Sequence, residues 1–469
     1  MSQTMSNVTV PMSKGKRLVF IIAVYILYAG FSASGYGSSV LLPKQLTAIG
    51  GMDFYPLSTA LGTLGTLLSL PLVGSLCDKF GSKAVTLSGV FIQLGVRIVL
   101  MTATLNPILF LVLYCAQSIG TGLYISAPYS LITDVTEPDE RPKFFGYLVA
   151  VRSVGSLLGP LATGWLMDAG YVSLGWISYL PLMIVSVPVI LAIYPNIKTN
   201  KVQGKFDFGG IFLLVFALLG IVLWLSLGGK QFEWISAVSG VMIAVGIISL
   251  VLLLRRESKH SNPSVPIRVF KYKSFAAVFV CIMLLNGYNT STGAYAIAYS
   301  QQIMQVSSTV SATVTMPQTI VQAICSGFIG AFVGKNFAKR FRPMALLGMF
   351  MCGFACFIFF CLRATSPMFV IYAATAIGGF GTMIPQATFP SFFQKEVKPE
   401  DYRYAQSMFS FASTGGSCVF SAFAGVIMNA GMGYNSVFLL ATILCAVAVS
   451  LGFIFLRLPK ETSDEAIKA

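Results

Sequence analysis

The stretch LVFIIAVYILYAGFSASGYGSSV, residues Leu18–Val40, decides the fold class. It contains no charged residue and exceeds the roughly 20 apolar residues that a helix needs to cross the hydrocarbon core of a bilayer. Backbone groups inside lipid must pair within their own segment, so such a stretch forms a helix. The apolar–polar alternation typical of membrane β-strands is not seen in it. We therefore predict a membrane-spanning helix here.

Thirteen further apolar stretches of similar length follow. Only 10% of the 469 residues are charged, against about 25% in soluble domains, so the chain lacks the polar residues to coat a water-facing surface. We predict an all-α polytopic membrane protein with 14 transmembrane helices. The further spans are Tyr55–Leu76, Ala84–Leu105, Pro107–Ile132, Phe144–Met167, Val172–Tyr194, Phe208–Leu227, Trp234–Leu254, Phe275–Tyr299, Thr309–Val333, Met344–Leu362, Met368–Phe392, Ala405–Met428 and Tyr434–Leu456.

The distribution of Lys and Arg predicts the orientation. With an even number of spans and a cytoplasmic N-terminus, 26 of the 31 Lys and Arg lie on the cytoplasmic side, which is the positive-inside bias. This bias also explains the net charge of +15, so we expect no nucleic-acid partner. We expect a monomer in the inner (plasma) membrane, surrounded by lipid, with both termini in the cytoplasm.

Residues suited to catalysis or metal binding are scarce. The one histidine, His260, lies in a predicted loop, and Cys352 and Cys356 share a helix face with neither His nor carboxylate beside them. The spans contain no Ser-His-Asp or Cys-His set, and no Gly-rich phosphate loop is present in the sequence. We therefore expect no enzyme activity, metal site or cofactor.

An internal repeat predicts the organisation of the chain. Three similarities recur at a near-constant separation, which indicates two homologous six-helix bundles at 1–194 and 272–469. The remaining segment, 195–271, is an inserted helix pair flanked by basic loops. We expect the two helices of this pair to face lipid. The matched pairs are Gly30 with Gly287, Gly122 with Gly381, and Gly74 with Gly330, at separations of 257, 259 and 256 positions.

The loop after the second span reads Gly74-Ser-Leu-Cys-Asp78-Lys79-Phe-Gly81-Ser-Lys83. Gly81 permits a sharp turn, Asp78 can accept hydrogen bonds from a helix N-terminus, and the cations can hold nearby carbonyls. The loop resembles the G-x-L-x-D-[RK]-x-G-[RK]-[RK] loop of the major facilitator superfamily, apart from Ser82. The resemblance implies alternating-access transport with this loop in a gating role.

The fifth span carries a stripe of glycines, and small residues on one face let another helix approach closely. The stripe resembles the G-x8-G-x3-G-P-x2-G-G motif of drug/proton antiporters in the same superfamily, except at Thr163. This resemblance implies packing at the interface between the two halves. Ordinary glycine-mediated packing is the alternative. The residues concerned are Gly146, Gly155, Gly159, Pro160 and Gly164.

The segment from Asp207 through the inserted pair is similar to the 14-helix drug/proton antiporter branch, but two residues typical of that branch are missing. The acid expected in the first helix is Ser34 here, and the Arg expected three positions before Gln117 is Tyr114. No Asp or Glu lies in the interior of a predicted span. Since a proton-coupled exporter of cationic drugs needs a membrane carboxylate, this argues against that role.

Two arginines lie within predicted spans. Arg97 is about seven residues from the outer end of its span, and we expect its long side chain to reach the interface. Arg152 lies about nine residues, or about 14 Å, into its span. An Arg at that depth costs about 2.5–3.5 kcal/mol, so Arg152 must face protein. It either bonds carbonyls and tyrosines or binds an anionic substrate.

The preferred function is secondary transport of a small organic anion held partly by Arg152. Multidrug efflux by proton antiport is the alternative, and a non-transporting receptor or channel is a more remote one. A coupled proton would have to travel on the substrate or along polar groups. The ninth span is polar either because it is a broken helix at the substrate site or because its polar side chains bond neighbouring helices. The other candidate substrate-binding residues are Ser34, Tyr36, Tyr114, Gln117, Asn286, Asn289, Tyr295, Gln318 and Gln322.

Overall fold

The structure, a computed structural model, describes residues 12–102, 106–125, 141–195, 208–229, 231–257, 267–334, 337–393 and 402–456, with a few isolated residues besides. Within these ranges the regular elements are helices, apart from one isolated bridge between Gly228 and Phe232. This follows from the long apolar stretches, because a helix satisfies its own backbone in lipid. The predicted all-α class is confirmed.

Fourteen long helical segments correspond one for one with the predicted spans. Eleven of them meet the length and hydropathy needed to cross a membrane over their described residues. The helices of the first half are α1 (Lys14–Ala48), α2 (Tyr55–Phe80), α3 (Ser82–Thr102), α4 (Pro107–Ile125), α5 (Arg141–Asp168) and α6 (Val172–Ile193, beginning with the 3-10 turns Val172–Ile177).

The inserted pair and the second half complete the bundle. The inserted helices are α7 (Phe208–Leu227) and α8 (Ala237–Glu257). Those of the second half are α9 (Lys273–Gln302), α10 (Ser308–Ala312, a 3-10 turn at Thr313–Thr315, then Met316–Gly334), α11 (Phe337–Phe360), α12 (Met368–Phe393), α13 (Tyr402–Asn429) and α14 (Gly433–Phe455).

Both halves use the same helix pairings. In the first half, α1 packs on α5 and α6, and α4 packs on α2 and α3. In the second half, α9 packs on α13 and α14, and α12 packs on α10 and α11. The order of contacts is therefore repeated, as expected for two related six-helix bundles.

Glycine crossings show which residues correspond between the halves. A Cβ on Gly89 of α3 would lie 2.7 Å from the carbonyl oxygen of Gly120 in α4. A Cβ on Gly348 of α11 would lie 2.7 Å from the carbonyl oxygen of Gly381 in α12. The counterpart of Gly381 is therefore Gly120, two positions before the sequence match at Gly122.

A second crossing corrects another sequence match. A Cβ on Gly159 of α5 would collide with the backbone of Ala33 in α1, and the equivalent contact joins Phe420 of α13 to Gly287 of α9. Gly287 therefore corresponds to Ala33, three positions after the sequence match at Gly30. The pairing of Gly74 with Gly330 lies outside the described residues.

The inserted pair is not uniformly lipid-facing. Helix α8 exposes large apolar side chains such as Val241 and Ile248, as expected. Helix α7 instead packs on α2 and α13, one from each half. The side-chain amide of Asn429 donates to the carbonyl of Ser226 at 2.8 Å. The expectation for α7 therefore holds only in part: Phe212 is 63% exposed, but α7 also covers the seam between α2 and α13.

Candidate functional site

A cavity of about 320 Å³ lies between the two halves. Ligand pockets in proteins hold about 300–1,000 Å³, so this volume suits a small ligand. Among the described lining residues, the first half contributes two arginines and all four aromatic rings. The second half contributes Thr290, Gly293, Ala294 and Ser421.

Four candidate residues of the first half line this cavity. Arg152 of α5 is exposed to it, Tyr36 of α1 is half-buried at its wall, and Tyr114 and Gln117 of α4 line it too. The close contact of Gly155 with the carbonyl of Ala29 holds α5 against α1 at the next turn after Arg152. Packing between these two helices therefore sets where Arg152 enters the wall.

Arg97 does not reach the membrane interface. Its side chain is 2% exposed and lies inside the first half, so the expectation is wrong. The Nε donates to the Gln117 side-chain oxygen at 2.7 Å, and one terminal nitrogen donates to the Trp176 carbonyl at 3.1 Å. The other donates to the Ser34 carbonyl at 3.1 Å and to the Ser38 hydroxyl at 2.7 Å. Helices α1, α4 and α6 of the first half thus converge on one guanidinium carried by α3.

Aromatic rings complete the surroundings of Arg97. The guanidinium carbon lies 5.0 Å from the Tyr179 ring centroid and 5.8 Å from that of Trp176, both within cation–π range. Its hydrogen-bond acceptors are all neutral, and no carboxylate is among the described residues that line the cavity. The first half therefore carries a buried positive charge stabilised by dipoles and rings rather than by an acid.

Gln93 and Tyr124, which were not among the residues predicted from the sequence, extend this network. Gln93 donates to the Thr121 hydroxyl at 2.8 Å and to the Ser34 hydroxyl at 3.3 Å. It accepts from the Tyr124 hydroxyl at 2.5 Å. The i,i+4 spacing of Gln93 and Arg97 puts both on one face of α3. This spacing could have identified Gln93 from the sequence. Ser34 therefore lies in a hydrogen-bond network behind the cavity wall.

Arg97 lies beside the part of α4 where the branch that the sequence resembles has an Arg. Tyr114 occupies the position where the related branch has an Arg, and its ring lines the cavity. Arg97 reaches Gln117, the next marker of that motif, from α3. The guanidinium is thus supplied by the neighbouring helix, and a search along α4 alone would not find it.

Most candidates of the second half form contacts between helices. Asn286 accepts from the Ser413 hydroxyl of α13 at 3.3 Å, and Asn289 accepts from Gln318 of α10 at 3.4 Å. Gln322 donates to the Thr382 hydroxyl at 2.9 Å. None of these residues is among the described ones that line the cavity. For these side chains the structure agrees with the helix-contact alternative.

Helix α9 is not broken, but it contains a π-helical turn just after Asn289. Ser291–Tyr295 is a π-helical turn, a feature that often occurs at functional sites. It brings Gly293 and Ala294 to the cavity wall. Tyr295 itself is fully buried, with its hydroxyl 3.5 Å from that of Thr59. It therefore lies at a contact between the halves.

The halves are joined by hydrogen bonds toward one end of the molecule, which we call the Asp168 end. The Asp168 carboxylate accepts from the backbone N–H groups of Ser308 and Thr309, at 3.0 and 2.8 Å. The Tyr55 hydroxyl donates to the Ala294 carbonyl at 2.8 Å. These bonds tie α5 and α2 of the first half to α10 and α9 of the second.

The glycine stripe of α5 serves two interfaces. Gly155 and Gly159 pack on α1 within the first half, so for them the implied contact between halves is wrong. Gly164 does lie between the halves, since a Cβ there would be 2.8 Å from the Ser308 carbonyl oxygen. Pro160 lies inside α5, whereas the contacts of Gly146 are outside the described residues.

At the opposite end, which we call the Lys83 end, part of the predicted gating loop is described. Gly81 has a φ of +93°, as a sharp turn between α2 and α3 requires. The Lys83 ammonium donates to the carbonyls of Leu191 at 2.7 Å and Tyr194 at 2.6 Å. It therefore satisfies carbonyls at the end of α6. The predicted contacts of Gly74, Asp78 and Lys79 lie outside the described residues.

The sequence matches the Major Facilitator Superfamily over residues 22–208, 206–421 and 329–469. The chain belongs to this superfamily of transporters. The transporter fold expected from the loop motif is thereby confirmed.

Similar proteins agree with this assignment. The chain is 26% identical over 295 residues to the multidrug transporter protein MdtP of Bacillus subtilis, which is 62% of this chain and 53% of that protein. It is 26% identical over 265 residues to multidrug resistance protein 3 of the same organism, covering 56% and 51%. The chain thus matches about half the length of these two curated relatives.

Solved structures share the fold. A POT family transporter in complex with a thioalcohol-conjugated peptide superposes with a TM-score of 0.70 at 15% identity, covering 93% of this chain and 95% of that one. At this identity the likeness establishes the arrangement of helices and nothing about the ligand.

Proposed function

We propose that this protein is a secondary transporter that moves a small organic anion by alternating access, with Arg152 as the main substrate-binding charge. Arg152 extends into the cavity between the halves, and Arg97 adds a buried positive charge in the same wall. No carboxylate is found among the described lining residues. This positive cavity is the observation that supports an anionic substrate.

The contacts between the halves support alternating access. Under the positive-inside orientation, the Asp168 end faces outward and both termini lie in the cytoplasm. The hydrogen bonds of Asp168 and Tyr55 would then close the outer side of the cavity. Transport requires these bonds to break while the halves rock about the substrate. We further propose the halves as residues 1–194 and 272–469, with 195–271 as the inserted pair, in a monomer of the plasma membrane.

The test measures transport by purified protein in liposomes together with its thermal unfolding in detergent. Arg152→Ala should reduce the affinity for transported organic anions by tenfold or more, about 1.4 kcal/mol, without loss of folded protein. Arg152→Lys should lie between wild type and Arg152→Ala, because an ammonium lacks the planar fork that matches a carboxylate.

Arg363→Gln is a matched control, because it also removes one positive charge but sits in the exposed turn after α11. It should leave affinity unchanged. If Arg152→Ala transports organic anions as wild type does, the proposed role of Arg152 is wrong.

Multidrug efflux by proton antiport is the second candidate. The names of the two relatives from Bacillus subtilis favour it. The cavity opposes it, since the described lining includes no carboxylate to bind a cation or a coupling proton. Steep extrusion of lipophilic cationic dyes by a proton gradient, with no response to organic anions, would establish efflux and reject the anion proposal.

A further inference from the structure

We propose that the substrate is a monoanion with an apolar, ring-bearing body, whose acid group binds Arg152 and whose body lies on the aromatic wall of the first half. This inference rests on the proposed function, since it specifies the substrate class of the same cavity.

The two arginines differ in their exposure to the cavity. A guanidinium has five N–H groups. Arg97 is 2% exposed, and its four hydrogen bonds to neutral protein acceptors leave at most one N–H over. Arg152 is exposed at the cavity wall. The cavity therefore presents one guanidinium for direct contact, and Arg97 acts through its charge. One acid group on the substrate matches this arrangement, whereas two would leave one without a full partner.

The wall beside the arginines suits an apolar body. Phe31, Tyr36, Tyr55 and Tyr114 line the cavity, and aromatic rings bind apolar groups by area and by stacking. Tyr55 is fully buried and Tyr114 is 8% exposed, so the partly exposed rings of Phe31 and Tyr36 offer the area for direct contact.

Tyr114 is placed by packing on both sides. Its ring stacks on Phe110 with centroids 5.7 Å apart. On the other side Gly62 of α2 leaves room, since a Cβ there would lie 2.8 Å from the Tyr114 ring. This glycine therefore keeps the ring in its position at the cavity wall.

The wall of the second half is neutral and small. The π-helical turn of α9 brings Gly293 and Ala294 to it, and Thr290 and Ser421 complete it. Small side chains leave space for the part of the ligand that the first half does not contact. A compact inorganic anion would contact Arg152 but leave this space and the aromatic wall unused.

The experiment measures binding by isothermal titration to the purified full chain in detergent, with one ring skeleton carrying different groups. The probes are naphthalene-2-carboxylate, naphthalene-2,6-dicarboxylate, naphthalene-2-carboxamide, 2-naphthylmethylammonium and acetate. The monocarboxylate should bind at least tenfold more tightly than each of the others. Arg152→Gln should abolish the difference between the carboxylate and the carboxamide.

Gly62→Ala tests the ring wall without touching a charge. It should displace the Tyr114 ring and weaken the monocarboxylate at least fivefold, while the weak binding of acetate stays the same. Gly95→Ala in α3, where an added Cβ meets no atom within 4 Å, is the matched control and should bind as wild type does.

The outcomes separate this inference from the proposed function. If the dicarboxylate or acetate binds as tightly as the monocarboxylate, the monoanion inference is wrong and anion transport stands. If only the naphthylmethylammonium binds, both are wrong.

Discussion

The two halves have the same helix crossings but opposite chemistry at equivalent positions. The 259 positions that separate the crossing glycines of α3 and α11 also take Gln93 to Cys352 and Arg97 to Cys356. The first half therefore has an amide and a guanidinium in a hydrogen-bond network, where the second half has two fully buried thiols.

The second half fills the corresponding space with Tyr288. Its ring lies against Gly378 of α12, and its hydroxyl donates to the Thr375 carbonyl at 3.2 Å. One backbone scaffold thus carries a charged network in one half and a neutral, mostly apolar core in the other. The comparison teaches that glycine crossings preserve the shape of the bundle, while the buried side chains next to them set which half presents charge to the cavity.

The largest expected effect comes from removing the buried charge. Arg97→Met leaves the Gln117 side-chain oxygen and the Trp176 carbonyl without their donor, while the Ser34 carbonyl still accepts from the Ser38 hydroxyl. Each buried acceptor left unpaired costs about 1–3 kcal/mol, so the free energy of unfolding should fall by about 2 kcal/mol or more. Cys356→Ala, at the equivalent position, removes one buried sulfur and should cost about 1 kcal/mol. Detergent unfolding curves measure both, and equal losses would refute the difference between the halves.

The glycine crossings should respond equally. Gly120→Val and Gly381→Val each push a side chain onto the backbone of the neighbouring helix. Overpacking of this kind costs about 1–3 kcal/mol, and the two losses should agree within about 0.5 kcal/mol because the geometry is the same. Unfolding of the two variants side by side tests this. A loss confined to one half would show that the crossings are not equivalent.

A smaller effect is expected from neutralising the first half. Ser34→Asp places a carboxylate beside Arg97 and should weaken binding of organic anions about tenfold, or about 1.4 kcal/mol. Ser34→Asn has nearly the same shape without the charge and should bind within about twofold of wild type. Titration of both variants with the same anion tests this prediction. Equal affinities would mean that the charge of this network has no effect on anion binding in the cavity.

The smallest effect concerns the contact between the halves. Asp168→Ala removes the acceptor for two backbone N–H groups of α10 and should cost about 1 kcal/mol, as for other helix N-caps. The form open at the Asp168 end should become roughly fivefold more populated. Spin labels at Lys44 and Gln305 measure the distance between the two halves at the Asp168 end. Asp53→Ala, an exposed aspartate at the same end, should leave the distribution as in wild type. A distribution in Asp168→Ala that matches the control would show that this bond does not hold the halves together.

Hydropathy predicted the helices well because a membrane span is a local property. Phe208–Leu227 was placed at the bounds that α7 has in the structure, and the loop at Gly81 was predicted from residue types that permit a turn. Arg152 was identified by its depth within its own span, which can be counted along the chain.

Which residues meet across the bundle was decided only by the tertiary structure. Arg97 was wrongly placed because its depth says nothing of its partners, and Trp176, whose carbonyl it bonds, lies 79 positions away. The same applies to Gly155, which packs on α1, and to α7, which covers a seam that its own sequence does not mark. The sequence by itself determined the number of helices, their length and the scarcity of membrane acids, because apolar length and charge are properties of single segments. Packing between distant segments determined where the buried charge lies and which wall of the cavity presents it.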